Sequence, residues 1–195
     1  MNKTISRLIN YIEVTQPINI KSHIYRSCKV GDFLSKLHNT DLNKVKIALL
    51  GHDLYRAYSN KDLLQKANQK NIYISEIEKH SPILLHGKLA SMKMKNYFQI
   101  NDPEILHSIK WHTSGHKYMS AVFKVVFLSD KIDPEKIKNN TSLNPIKIKA
   151  CKNLDQAMLM YLNYNIKLRI KNNELIHPYS IQARNSIQKD METIN

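Results

Sequence analysis

Glycine and proline are scarce, with four Gly and six Pro in 195 residues. That is too few for a turn-rich β architecture or a low-complexity chain. Cysteine is scarcer still. Cys28 and Cys151 lie far apart and form no CxxC pair, which argues against a disulfide framework and suits a reducing, cytoplasmic setting. No apolar run approaches the roughly 20 residues that cross a bilayer. The N-terminal stretch is amphipathic and is interrupted by Glu13, so it lacks the apolar core of a secretion signal. The motifs GxxxxGK[ST], GxGxxG, GxSxG and HExxH are all missing, which sets aside the P-loop, dinucleotide, serine-elbow and zincin chemistries. Acidic residues are outnumbered, 16 against 30 Lys and Arg, for a net charge of +14. The lysines are scattered along the chain instead of forming a solid run. That disfavours nucleic-acid binding and leaves a basic field suited to a polyanionic small molecule.

What the chain does carry is helical periodicity. His23, Ser27, Val30, Leu34 and Leu37 recur at offsets 0, 4, 7, 11 and 14, one face of a helix. Asp41 is placed to cap the next, in which Val45, Leu49, His52, Asp53 and Arg56 share a face. A short helix is expected over 62–70 and another from His86 through Ala90, Met94 and Tyr97. Asp102-Pro103 opens a helix carrying Ile105, Ile109 and His112, which Gly115 closes. Val122, Val126, Ser129 and Asp130 share the following one. Lys131 to Lys152 holds six Lys against two acids and reads as a loop with at most a short helix. Helical spacing returns over 153–170, and a last helix follows His177-Pro178. The expected fold is all-α. The chain is long enough for one domain over 1–195, with its core at about 18–135 and C-terminal helices at about 153–190 packing on it.

Nine histidines are the notable chemistry. His52-Asp53 ends an apolar helix, and alone such a dipeptide is usually a surface pair or a structural hydrogen bond. But His23, His86, His112 and Asp130 also sit in line with buried stripes of other helices. Buried imidazoles and carboxylates are costly unless paired or metal-bound, and five helices each delivering one points to a shared ligand. Four His and two Asp suit iron or manganese, and the lack of Cys ligands disfavours structural zinc. Six ligands exceed what one ion with an open position needs, whereas two ions sharing a carboxylate accommodate them. A competing pair, His112 and His116, has zinc-like spacing, but Gly115 between them interrupts the helix. His38, His80 and His107 read as structural or exposed, and His177 as a helix-entry residue.

His23, GHDLYR (Gly51 to Arg56), LLHGKLAS (Leu84 to Ser91), WHTSGHKYMS (Trp111 to Ser120) and FLSDKIDPEK (Phe127 to Lys136) resemble in order and spacing the YqeK family of HD-domain proteins. The resemblance extends to IHPYSIQARNS near the end and spans about residues 18 to 190. It implies a single HD-domain helical bundle acting as a symmetrical bis(5′-nucleosyl)-tetraphosphatase, which cleaves diadenosine tetraphosphate to two ADP through a hydroxide held between two metal ions. The family's six ligands fall on His23, His52, Asp53, His86, His112 and Asp130, with Asp53 bridging and His52 and Asp53 at the catalytic centre. The implied metal is iron, with manganese or another divalent ion as alternatives.

Three positions depart from the family pattern. Arg56 stands where Lys is usual, Lys131 where an aromatic is common, and His116 where Arg is common. None removes a ligand, so they bear on substrate choice. Arg56, Lys88, Thr113 and Lys131 lie within a turn of a ligand and are the expected phosphate contacts, against the plainer reading of solvated charges or caps. The expected partner is a dinucleoside polyphosphate. A homodimer is left open and no membrane is implied. Competing functions are an HD nucleotidase or phosphodiesterase acting on nucleoside monophosphates or cyclic nucleotides, and a non-catalytic RNA-binding helical module.

Overall fold

Helix α3 (Leu42–Gly51) is polar where it starts, with Lys44 and Lys46 in ion pairs at the surface, and buried on every side from Ile47 onward, so that half has to be covered all round. Residues 47–55 form one unbroken buried run through its end. The computed structural model describes residues 3–193, and every regular element among them is helical. Around α3 pack α1 (Lys3–Thr15), α2 (Ile18–Leu37), α6 (Leu85–Asn96), α7 (Pro103–Trp111) and α8 (Ala121–Lys131). Between α3 and α6 lie α4 (Asn60–Gln69), α5 (Glu76–His80) and a 3-10 turn at Pro82–Leu84. After α8 come α9 (Pro134–Asn139), a 3-10 turn at Thr141–Leu143, α10 (Asn144–Ala150), α11 (Leu154–Lys171) and α12 (Pro178–Thr193). The α11–α12 pair lies against α8, where Tyr161 meets Phe127 edge-on with ring centroids 5.4 Å apart.

Local chemistry starts these helices where the sequence places the starts. Asp41 accepts hydrogen bonds from the amides of Asn43 and Lys44, and Asp102 from those of Glu104 and Ile105 ahead of a first-turn proline. Ser120 caps α8 and Asn153 caps α11 in the same way. Each cap satisfies amides that have no partner inside the helix. Gly115 ends the α7 segment at φ +76°, a left-handed conformation costly for any residue with a Cβ. The helix therefore stops before His116, whose ring stacks on Trp111 instead of joining His112.

Two expectations are corrected. The buried stripe of α2 drifts, and Leu37 is exposed while Ile24, Cys28 and Ser35 are buried. An offset pattern repeating every seven residues slips about 20° per repeat on a straight helix, and over the 20 residues of α2 the end of the stripe turns out of the core. The lysine-rich stretch from Lys131 to Lys152 is not a loop: it holds α9, a 3-10 turn and α10. Asp133 caps α9 through the Glu135 amide with Pro134 at the first helical position, and Asn140 caps the turn after it. Leu143, Ile146 and Ala150 are the buried residues that hold this segment down. Lys138, Lys147 and Lys152 are exposed around them, so charge density hid an apolar pattern. Among the described residues no helix is long and apolar enough to cross a membrane.

Candidate metal centre

Six side chains from five segments converge beside the end of α3. His23 comes from the first turns of α2. His52 and Asp53 follow the end of α3, past the helix and in a turn. His86 lies at the start of α6, His112 just after α7, and Asp130 at the end of α8. All six are buried, His52 completely. The six residues singled out in the sequence are thus brought together.

A single device orients three of the four imidazoles. The Nδ1 of His52 meets the Leu49 carbonyl at 2.6 Å, that of His112 the Ile109 carbonyl at 2.7 Å, and that of His86 the Ile83 carbonyl. Each carbonyl lies three residues upstream, those of Leu49 and Ile109 in a last helical turn and that of Ile83 in the 3-10 turn before α6. A carbonyl can only accept, so Nδ1 carries the proton and Nε2 presents a lone pair. His23 Nδ1 is held instead by Asp133 Oδ2 at 2.8 Å, and Asp133 is fixed by Arg26 at 2.7 Å. Such partners lock the tautomer and ring plane of a metal-binding histidine.

All four Nε2 atoms therefore point inward at acceptors. His86 and His112 face each other with Nε2 atoms 2.9 Å apart, and His52 and His23 with theirs 3.4 Å apart. Asp53 lies between the pairs. Its Oδ1 is 3.1 Å from His86 and 3.5 Å from His112, and its Oδ2 is 3.6 Å from both His23 and His52. Asp130 Oδ1 adds to the second pair, 3.0 Å from His23 and 3.9 Å from His52. Facing lone pairs and carboxylates repel unless a cation lies among them. The donor set, nitrogen and oxygen without sulfur, fits a divalent transition metal. Groupings of donor atoms close enough to share an ion include His23, His52 and Asp130, and also His52, Asp53 and His112. The carboxylate oxygens of Asp53 draw the division differently, placing His86 with His112. This division uses both oxygens and all four rings.

The electrostatics agree with the geometry. Burial pushes the His52 imidazole down to about 4 and lowers His112, so both stay neutral and ready to coordinate. Burial alone would raise the Asp53 and Asp130 carboxyls. The imidazoles around Asp53 and the ammoniums of Lys131 and Lys136 beside Asp130 instead hold both well below the usual range.

Above the cluster opens a cavity of about 830 Å³ with a basic rim. Its floor includes His23, Asp53, His86, His112 and Asp130, and Arg56, Thr113, Lys131, Lys136 and Arg169 line its walls. Lys131 and Lys136 reach Asp130 at 2.7 and 2.6 Å. Of the four expected phosphate contacts, Arg56, Thr113 and Lys131 lie here. Lys88 does not. Its ammonium bonds Glu78 at 2.6 Å and the Tyr73 carbonyl at 2.9 Å, away from this cavity. Lying two residues after His86 in α6, it faces about 200° away from it, and the buried Glu78 holds it there. Asp133, Arg26, Lys136 and Arg169 were not read from the sequence. Asp133 was visible as a helix cap and Arg26 as the residue one turn beyond His23. Nothing local marks Arg169, which reaches the rim only because α11 folds back over α8.

Residues 21–135 match the HD domain family. A symmetrical bis(5′-nucleosyl)-tetraphosphatase of Halalkalibacterium halodurans is 25% identical over 154 residues, covering 79% of this chain and 81% of that protein. One of the same name from Bacillus subtilis is 23% identical, covering 74% and 76%. A probable nicotinate-nucleotide adenylyltransferase/Ap4A hydrolase of Mycoplasma genitalium is 28% identical over 149 residues, which cover 73% of this chain and 41% of that protein. The crystal structure of an HD superfamily hydrolase from Clostridium acetobutylicum aligns with a TM-score of 0.88 at 23% identity, covering 95% of this chain and 97% of that one. At that identity the likeness speaks for the fold.

Proposed function

The chain belongs to the HD domain family, and we propose that it is a metal-dependent phosphohydrolase that splits diadenosine tetraphosphate symmetrically into two ADP. One observation carries the reading: four inward-facing Nε2 atoms are divided by the two oxygens of Asp53 beneath a basic cavity. The relatives named as symmetrical tetraphosphatases over most of the chain support the choice of substrate.

On this reading His23, His52, Asp53, His86, His112 and Asp130 would hold two ions, with Asp53 the carboxylate available to both, iron the metal of first choice and manganese the alternative. Bound metal would supply Lewis acidity toward phosphate oxygens and a water acidified toward neutral pH. The protein's own groups do the rest. The carbonyl contacts keep the Nε2 atoms of His52, His86 and His112 free of a proton, so these ligand atoms need no deprotonation before use, and Asp133 fixes the ring of His23. Arg56, Thr113, Lys131 and Lys136 face the incoming polyphosphate and offset its charge, Arg56 with two parallel donors. Hydrolysis consumes one water and breaks one P–O bond at the centre of the chain, which leaves two identical products.

The test is chromatography of the products formed from diadenosine tetraphosphate by metal-loaded protein. ADP as the sole early product supports the reading. AMP with ATP, or an inert tetraphosphate beside a cleaved nucleoside monophosphate, rejects it.

A further inference from the structure

A second cavity, of about 790 Å³, shares no lining residue with the one above the metal centre. The two lie on either side of the α6–α7 contact. His86 and His112 face the first cavity, and Lys88 and Trp111, two residues on and one residue back, face the second. The wall between them is thin. A Cβ on Gly87 would stand 2.8 Å from the Lys110 carbonyl and 3.0 Å from that of Ile109, so the two helices touch backbone to backbone here and only glycine fits.

The chemistry of this cavity is specific. Its rings are Tyr73, Trp111, His177 and Tyr179. Trp111 and Tyr179 meet edge to face with centroids 4.7 Å apart, and His177 stacks on Tyr179 at 5.3 Å. The Tyr73 ring is 80% exposed, an uncovered face at the mouth. Of the charges, Lys88 is neutralised by Glu78 at 2.6 Å and Glu76 by Lys79 at 2.6 Å. That leaves Lys95 and Lys110, neither with a carboxylate within 4.0 Å among the described residues. The Lys110 ammonium sits 4.8 Å from the Trp111 ring centre.

We propose that this cavity is a second nucleotide site, in which a nucleoside diphosphate places its base against Tyr73 and Trp111 and its phosphates on Lys95 and Lys110. Aromatic faces accept any base by stacking, and unpaired ammoniums supply the phosphate contacts. A purely apolar ligand would leave the two lysines unused, and inorganic phosphate would leave the rings unused. The occupant lies against the chain neighbours of His86 and His112, so binding here bears on the geometry of the metal centre through the α6–α7 wall. The site does not rest on the reaction assigned to that centre.

The test is equilibrium dialysis of ADP against the full chain stripped of metal by EDTA, in an Arg56→Glu background that removes a cation from the other cavity. Trp111, the single tryptophan, gives a fluorescence readout on the same samples. One equivalent of ADP should bind and perturb that fluorescence, with adenosine and inorganic phosphate each at least tenfold weaker. Charge reversal at the exposed lysines (Lys95→Glu with Lys110→Glu) should weaken ADP binding at least tenfold, and Tyr73→Ala should also weaken it. Neither change touches a buried contact, so the thermal transition should stay in place. Absence of ADP binding in the Arg56→Glu chain, or binding indifferent to the lysine reversal, overturns the proposal. Neither outcome depends on whether the metal-loaded protein hydrolyses anything.

Discussion

Asp133 is 1% exposed and decides how His23 presents its Nε2. Removing the carboxylate in Asp133→Ala frees the ring and exposes the charge of Arg26, and should cost roughly 10–100-fold in metal affinity, as losses of such partners do. A metal titration checks this, and an unchanged affinity would remove Asp133 from the positioning role. Lys136 makes a different prediction, because it stands between Asp130 and the cavity. Lys136→Ala should raise the KM for tetraphosphate on the order of tenfold, about one charge-assisted hydrogen bond, while two metal equivalents stay bound. The imidazoles set the pH behaviour of the metal-free protein. Unfolded histidine takes up its proton near 6.5, whereas burial delays His52 to about 4. In that window the unfolded chain holds more protons, so stability falls on acidification. His112, His107, His116 and His177 are lowered chiefly by burial and act with the same sign. His23 is raised, burial opposing and the Asp130 hydrogen bond prevailing, so its contribution is full below 6.5 and is lost as pH rises through its folded pKa. With one group against five, thermal unfolding after EDTA treatment should show a Tm that drops from pH 6.5 toward 4. A flat or rising Tm would contradict this assignment of protons.

Among the elements, α3 and the turn after it organise the centre, because burying the apolar second half of that helix fixes where His52 and Asp53 emerge. That much was legible in IALLGHDL, as were the capped starts at Asp41 and Asp102-Pro103. The six clustered residues were legible for the same reason: each ends or begins an apolar stripe, and stripes must meet in the core. Lys88 was not, because proximity in sequence says nothing of direction, and its partner Glu78 comes from α5, ten residues away. Lys136 was hidden in a segment whose lysines masked Leu143 and Ile146. The α7 terminus offers a direct test of local strain. Gly115→Ala would force a Cβ into φ +76° and within 3.0 Å of Ala183, and should destabilise the fold by about 1–2 kcal/mol, read as a lower Tm. Because the same turn carries His112 and Thr113, activity should fall with it. A variant as stable as the parent would show that the turn is not strained.

At the scale of the molecule, the charge of +14 and the basic cavity rim belong to one field. A polyanionic substrate should be drawn in at a rate that salt weakens, since charges beyond about 8 Å are screened at physiological ionic strength. Raising salt should therefore lower kcat/KM mainly through KM, and an effect confined to kcat would argue against steering. The proposed metal centre would have Asp53 divide four imidazoles between two ions. Elemental analysis of anaerobically purified chain tests it most directly. Wild type should carry two metal equivalents per chain, and Asp53→Ala should retain less than one. A single equivalent in wild type, or two undiminished in Asp53→Ala, would contradict the account.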